Sequence, residues 1–194
     1  MRILLFIWAA LSALPCHAVE VFATVPEWAA LAREIGGDKV SVFAATHGMQ
    51  DPHHVEARPS LIARARRADL VVATGAELEA GWLPVVLREA GNPRVQPGQP
   101  GYFEAAGFVR MLDVPARLDR ADGDVHAAGN PHVQTDPRNI LKIGEALAGR
   151  LATLDAANAN AYRAGYAAFA DKWRTAMEKK KKDAAILKGV PVVV

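Results

Sequence analysis

The side chains best placed to do chemistry in this sequence are its histidines. Of six, His17 falls in an N-terminal leader described below, and the other five gather in two short stretches: His47, His53 and His54, then His126 and His132. Each stretch contains a His-x5-His spacing. Neutral imidazole is the commonest protein metal ligand, and thiolate is ruled out as a partner because the single cysteine, Cys16, also lies in the leader. Loop spacings impose no fixed geometry, so a solvated side chain is the competing reading for each histidine taken alone. Other chemistries find less support. There is no His-Glu-x-x-His, no Gly-x-Gly-x-x-Gly, no Walker loop and no Gly-x-Ser-x-Gly. Beyond the leader the only serines are Ser41, inside a strand pattern, and Ser60, where helix capping is the simpler role. Asp119, Asp122 and Asp124 lack the order of an EF-hand loop. Glu77 and Glu79 read as a solvated turn.

Composition sets the frame for these residues. The 194-residue chain is 51% apolar and 23% charged, an ordinary globular balance long enough to bury a core. Lys and Arg number 23 against 21 Asp and Glu, which argues against a nucleic-acid binder. Lys179–Lys182 reads as a solvated helix end. Arg2, the apolar run Ile3–Leu14 and the small residues around Cys16-His17-Ala18 form a secretory signal cut after Ala18, too short to span a bilayer. Lipid attachment at Cys16 is the alternative, but Ala13-Leu14-Pro15 is a poor lipobox. The expected location is periplasmic, with no disulfide in the mature chain.

The elements that must position the histidines alternate. Strand patterns at 19–24, 39–45 and 69–74 are separated by helices beginning at Pro26 and Pro59; another helix follows over 82–90, and 103–113 is a further candidate strand. This order predicts an α/β fold, a parallel sheet flanked by helices, over residues 19–154. The first histidine loop, at the C-terminal end of the second strand, lies where ligands bind in open α/β sheets, and the second precedes the Asp136-Pro137 helix. Asp136-Pro137 caps a helix carrying Ile140, Ile143, Leu147 and Leu151 on one face. A second, longer helix over 155–188 bears Tyr162, Tyr166, Phe169, Trp173 and Met177 as a stripe, long enough to reach beyond its own lobe. Val190–Val194 is read as the first strand of a missing C-terminal lobe (189–194); the alternative is a last strand of the existing sheet.

Gln50-Asp51-Pro52-His53-His54-Val55-Glu56, Arg58-Pro59-Ser60, Ala68-Asp69-Leu70-Val71-Val72, Gly75-Ala76-Glu77-Leu78-Glu79 and Gly129-Asn130-Pro131-His132 before Asp136-Pro137 together resemble the N-terminal lobe of the zinc- and manganese-specific solute-binding proteins of bacterial ABC importers (cluster A-I). The resemblance implies two α/β lobes joined by one long helix, with a single metal in the cleft. It carries two ligands onto His53 and His132; the third and fourth belong to the second lobe. His54 does not match a ligand position, and His126 is either a gathering ligand on its loop or a plain loop residue. The implied function is delivery of Zn²⁺ to a membrane permease by a monomer that is no enzyme and binds no nucleic acid. Zinc is preferred because both ligands are imidazoles, with Mn²⁺ the near alternative. A small zinc hydrolase using Glu56 or Asp51 as base, and a one-lobe metal chaperone, are the rival readings. A shared ion requires His53 and His132 side by side, rings within ~3–4 Å, with His47 and His54 turned elsewhere.

Overall fold

In the computed structural model, which describes residues 18–115, 117 and 126–191, Val19–Ala23 (β1), Val40–Ala44 (β2), Leu70–Ala73 (β3) and Tyr102–Glu104 (β4) form one parallel sheet ordered β2-β1-β3-β4. All of β3 is buried, as its unbroken apolar sequence requires for a strand covered on both faces. The period-two alternation divides its side chains: Leu70 and Val72 face one core, Val71 and Ala73 the other.

Helices Pro26–Gly36 (α1), Pro137–Leu154 (α4) and Ala159–Asp183 (α5) cover the first face, around Trp28, Ile143, Leu147 and Tyr162. Helices Pro59–Arg67 (α2) and Leu83–Ala90 (α3) cover the second, around Leu61, Trp82 and Val86. Proline in the first turn of α1, α2, α3 and α4 sets φ where no amide donor is needed. The chain runs from β1 outward to β2 over the first face and back across β1 to β3 over the second. That reversal opens a crevice beyond the C-terminal ends of β1 and β3, the ligand position of doubly wound sheets.

Two local expectations are corrected. The strand expected over 103–113 is only Tyr102–Glu104; the chain then turns through Ala105–Phe108, where Ala106 N–H donates to Thr74 O at 2.9 Å. Ala-Ala-Gly offers little side-chain packing to continue a ladder. Ser60 does not cap α2: it lies inside the helix, whose N-cap is Arg58 without a side-chain hydrogen bond. At α4, by contrast, Asp136 accepts from Arg138 N–H at 2.9 Å, as its Asp-Pro signature requires.

The long helix is present, but its packing is divided. α5 holds 25 residues, about 37 Å at the α-helical rise, with a 3-10 turn at each end. Tyr162 and Phe169 are buried, and Tyr166 and Trp173 pack against the core edge. Gly165 lets the helix approach α1 so closely that a Cβ there would collide with the Ile35 carbonyl. The N-terminal half is thus bound to its own lobe. Beyond Trp173 the helix is largely exposed, and Lys180, Lys181 and Lys182 complement the negative end of its dipole. Val190 and Pro191 form no strand, and Val192–Val194 lie outside the described residues, as do residues 1–17 of the expected signal segment 1–18. Among the described residues no helix is long and apolar enough to cross a membrane.

Candidate metal centre

The first histidine loop leaves β2 at the C-terminal edge of the sheet. Asp51 organises it. Its Oδ1 accepts from His53 N–H at 2.9 Å and from His53 Nδ1 at 2.8 Å, while Oδ2 takes His54 Nδ1 at 3.0 Å. A carboxylate on Nδ1 fixes the tautomer and leaves Nε2 with its lone pair for an incoming ligand, the arrangement found behind metal-binding imidazoles. The same contacts hold the Asp51 carboxyl well below the usual carboxylate range, first through the His54 ring, then through the His53 amide and ring. Asp51 is therefore an anchor for imidazoles rather than a base free to activate water. The side chain of His53 is 19% exposed and that of His54 76%, so the two neighbours differ in kind. His47 is exposed and turned to its own loop, accepting from Met49 N–H at 3.3 Å.

Beneath this loop lies Trp82, 1% exposed, whose indole N–H donates to Pro52 O at 2.9 Å. In the sequence Trp82 only opens a helix, and nothing local links it to a loop thirty positions away. Trp82→Phe keeps the ring but strands that carbonyl. The expected result is a loss of about 1–2 kcal/mol in urea unfolding, with the His53 ring resonances shifting by NMR while those of His47 stay in place.

The second loop repeats the first in miniature. Asn130 Oδ1 accepts from His132 N–H at 3.0 Å, as Asp51 does from His53. Both are Asx-Pro-His turns, in which an acceptor side chain two residues upstream closes the turn and proline presets φ. Asn130 is held in place by its own N–H to Leu112 O at 2.8 Å and its amide to Asp113 at 3.2 Å. His132 is exposed, with its ring centroid 5.6 Å from that of His53 at an angle of 67°. Its pKa lies below the ordinary histidine value, first through desolvation of the ring, then through the positive charge that His53 and His126 would add.

His126 comes closer still. Its ring stacks on His53 at 5.3 Å, and the two Nε2 atoms stand 3.2 Å apart. Two nitrogens bound to one tetrahedral ion at ~2.0–2.1 Å would lie about 3.3 Å apart. The structure therefore brings His53, His126 and His132 to one rim of the lobe, with the ring of His54 6.4 Å from His53 and open to solvent. Among the described residues, no three His, Cys, Asp or Glu side chains are already arranged to hold an ion together.

The acidic pair after β3 is not the solvated turn expected from the sequence. Glu79 is 4% exposed, and it accepts from Thr24 Oγ1 at 2.6 Å, Thr74 N–H at 2.8 Å and Gly75 N–H at 3.1 Å. It ties the C-terminal ends of β1 and β3 at the point where the crevice opens; Trp28 Nε1 adds a bond to Thr74 Oγ1 at 2.8 Å. Glu77 stays exposed but reaches the second histidine loop, accepting from Ala127 N–H at 2.6 Å. The turn that aims both acids runs through positive φ at Gly75 (79°), Ala76 (50°) and Glu77 (69°). The two non-glycine residues in it carry about 1–3 kcal/mol of strain each, of the sort that collects at functional sites. The resembling segment Gly75–Glu79 contains both acids but gives neither a role, because the Thr24 hydroxyl and the Ala127 amide that complete their contacts lie on other elements.

Comparison with known proteins places this geometry in a lineage. The family model of the periplasmic zinc-uptake complex component A, ZnuA, matches residues 21–194. The metal ABC transporter substrate-binding lipoprotein ScbA of Streptococcus cristatus is 25% identical over 168 residues, 85% of this chain and 51% of that protein. The manganese ABC transporter substrate-binding lipoprotein PsaA of Streptococcus pneumoniae is 24% identical over 157 residues, 79% of this chain and 47% of its own. The chain thus spans about half the length of the curated relatives it matches. A crystal structure of ZnuA superposes with a TM-score of 0.65 at 25% identity, over 81% of this chain and 55% of that one. A zinc-bound deletion mutant of ZnuA gives 0.69 at 25% identity, over 90% and 60%. With the family model matching residues 21–194 of the 194, this protein belongs to the periplasmic zinc-uptake component (ZnuA) family.

Proposed function

We propose that this chain is the first lobe and connecting helix of a periplasmic metal-binding protein that hands its ion to a bacterial ABC importer, and that His53 and His132 are its metal ligands. The observation that carries the reading is the paired Asx-Pro-His turn: two imidazoles from separate loops are delivered to one rim by the same local device, at 2.9 and 3.0 Å. The family match and the relatives named as metal and manganese transporter components support the transport role. On this reading the ion is cargo, bound and released without turnover. The long helix over 155–188 leads to a second lobe that supplies the remaining ligands, a proposal in keeping with the greater length of the relatives.

Zinc is the proposed cargo. Imidazole nitrogen is a better match for Zn²⁺ than for Mn²⁺, which follows oxygen ligands and lies lower in the affinity order. The test is a competition titration of the metal-free protein. Zinc is expected to bind at least about tenfold more tightly than manganese; equal affinities, or tighter manganese, would remove zinc from the assignment and leave the manganese alternative.

A further inference from the structure

The bond between Glu77 and the second histidine loop serves no purpose in the sheet. Glu77 lies on the strained turn after β3, exposed, with its carboxylate 2.6 Å from Ala127 N–H. Ala127 is the residue directly after His126, and the turn that His126 begins is closed by Gly129 N–H on its carbonyl at 3.0 Å. The far end of that turn has separate anchors. Asn130 N–H donates to Leu112 O at 2.8 Å, and Gly129 adopts φ 101° against the same carbonyl, where a Cβ would collide. Those anchors also serve His132, through Asn130 Oδ1. The Glu77 bond is therefore the contact that bears on His126 without bearing on His132.

We propose that Glu77 is a positioning residue: its carboxylate latches the 126–129 turn so that His126 stands over His53 and adds a third imidazole to the metal site. This rests on the metal-site reading above and extends it to a residue that touches no metal. Three features of the turn fit this role. Positive φ at three successive residues points the Glu77 side chain across to another loop, instead of along its own. A carboxylate acceptor gives a short, charge-assisted bond to a backbone amide. The resulting Nε2–Nε2 separation of 3.2 Å is the spacing at which one ion can bridge His53 and His126. A lobe with two ligands would hold its ion loosely, and a latched third imidazole would let it retain the ion before the site is completed.

The test is zinc titration of the full chain and its variants, with Co²⁺ visible absorption as a second readout of coordination. Outer residues that orient a ligand typically contribute 10–100-fold in metal affinity, so Glu77→Ala is expected to weaken zinc about tenfold and to lower the Co²⁺ band intensity. His126→Ala should match it in both readouts. Glu77→Gln, whose side-chain carbonyl can still accept from Ala127, should stay within about threefold of the unmodified chain. In the His126→Ala background Glu77→Ala should add nothing, since both changes remove the same contact. Thermal unfolding of every variant guards against a folding defect. An undiminished affinity in Glu77→Ala, or a full additional tenfold loss in the double variant, overturns the latch while the site stands, provided that His53→Ala still abolishes tight binding. If His53→Ala binds zinc as the unmodified chain does, the site reading falls and the latch with it.

Discussion

Replacing His53 with alanine should lower zinc affinity by about a hundredfold or more. Orienting residues behind a ligand are worth 10–100-fold, and on the proposed reading His53 is the ligand that such residues orient. Its Nδ1 is held by Asp51 at 2.8 Å, its backbone by the same carboxylate at 2.9 Å, and the preceding carbonyl by Trp82 at 2.9 Å. Removing the imidazole leaves that framework with nothing to present. The adjacent His54 supplies the control. It shares Asp51 but projects into solvent with 76% of its side chain exposed, so His54→Ala should change affinity by less than about threefold, as exposed contacts do. Calorimetric titration of both variants separates the two histidines. Equal zinc affinity for His53→Ala and the unmodified chain would end the assignment of His53 as a ligand.

The largest effect on stability is expected at Glu79. Three donors, the Thr24 hydroxyl and the amides of Thr74 and Gly75, converge on this one buried carboxylate. Glu79→Ala leaves all three without a partner in a region closed to solvent, at about 1–3 kcal/mol for each unsatisfied group. Relaxation and water entry would offset part of that sum, and a net loss of about 3–5 kcal/mol is expected in chemical denaturation. Glu79→Gln should do less damage, because one carbonyl oxygen still accepts while the amide nitrogen confronts a second donor. The ends of β1 and β3 lie beside the crevice, so a partly folded Glu79→Ala chain should also show broadened resonances for Thr24 and Thr74 before those of α4 respond. A loss below about 1 kcal/mol would mean that water replaces the carboxylate without penalty, contrary to the burial seen here.

Much of the framework could be read from residue order. Pro26 with Trp28, Leu31 and Ile35 at helical spacing specifies α1 in start and face, because each signal is local and they agree. The same holds for the Asp136-Pro137 start of α4 and for β3, whose continuous apolar run admits a strand buried on both faces. The two Asx-Pro-His turns are also local: acceptor, proline and imidazole are consecutive residues, and the hydrogen bond spans only two positions. These are the cases in which sequence separation is short, so that neighbouring side chains alone decide the conformation.

Tertiary structure decided what depends on residues far apart in the chain. The extent of β4 depended on where its edge stopped meeting β3, and Ala106 turning in to the Thr74 carbonyl ended it after Glu104. Glu79 has the sequence of an exposed acid; only the convergence of β1 and β3 supplied the donors that make its burial tolerable. The contacts of Glu77, Trp82 and His126 could not be read from their local segments, because each acts on a loop 50, 30 or 73 positions away, respectively. Sequence by itself determined that this chain is an α/β lobe with a long aromatic-striped helix and two Asx-Pro-His segments. The tertiary structure alone decided that a third imidazole stands beside the first, and that a strained turn after β3 reaches across to hold its loop, since distances between loops are set by how the sheet and helices pack and by no local preference of the loops themselves.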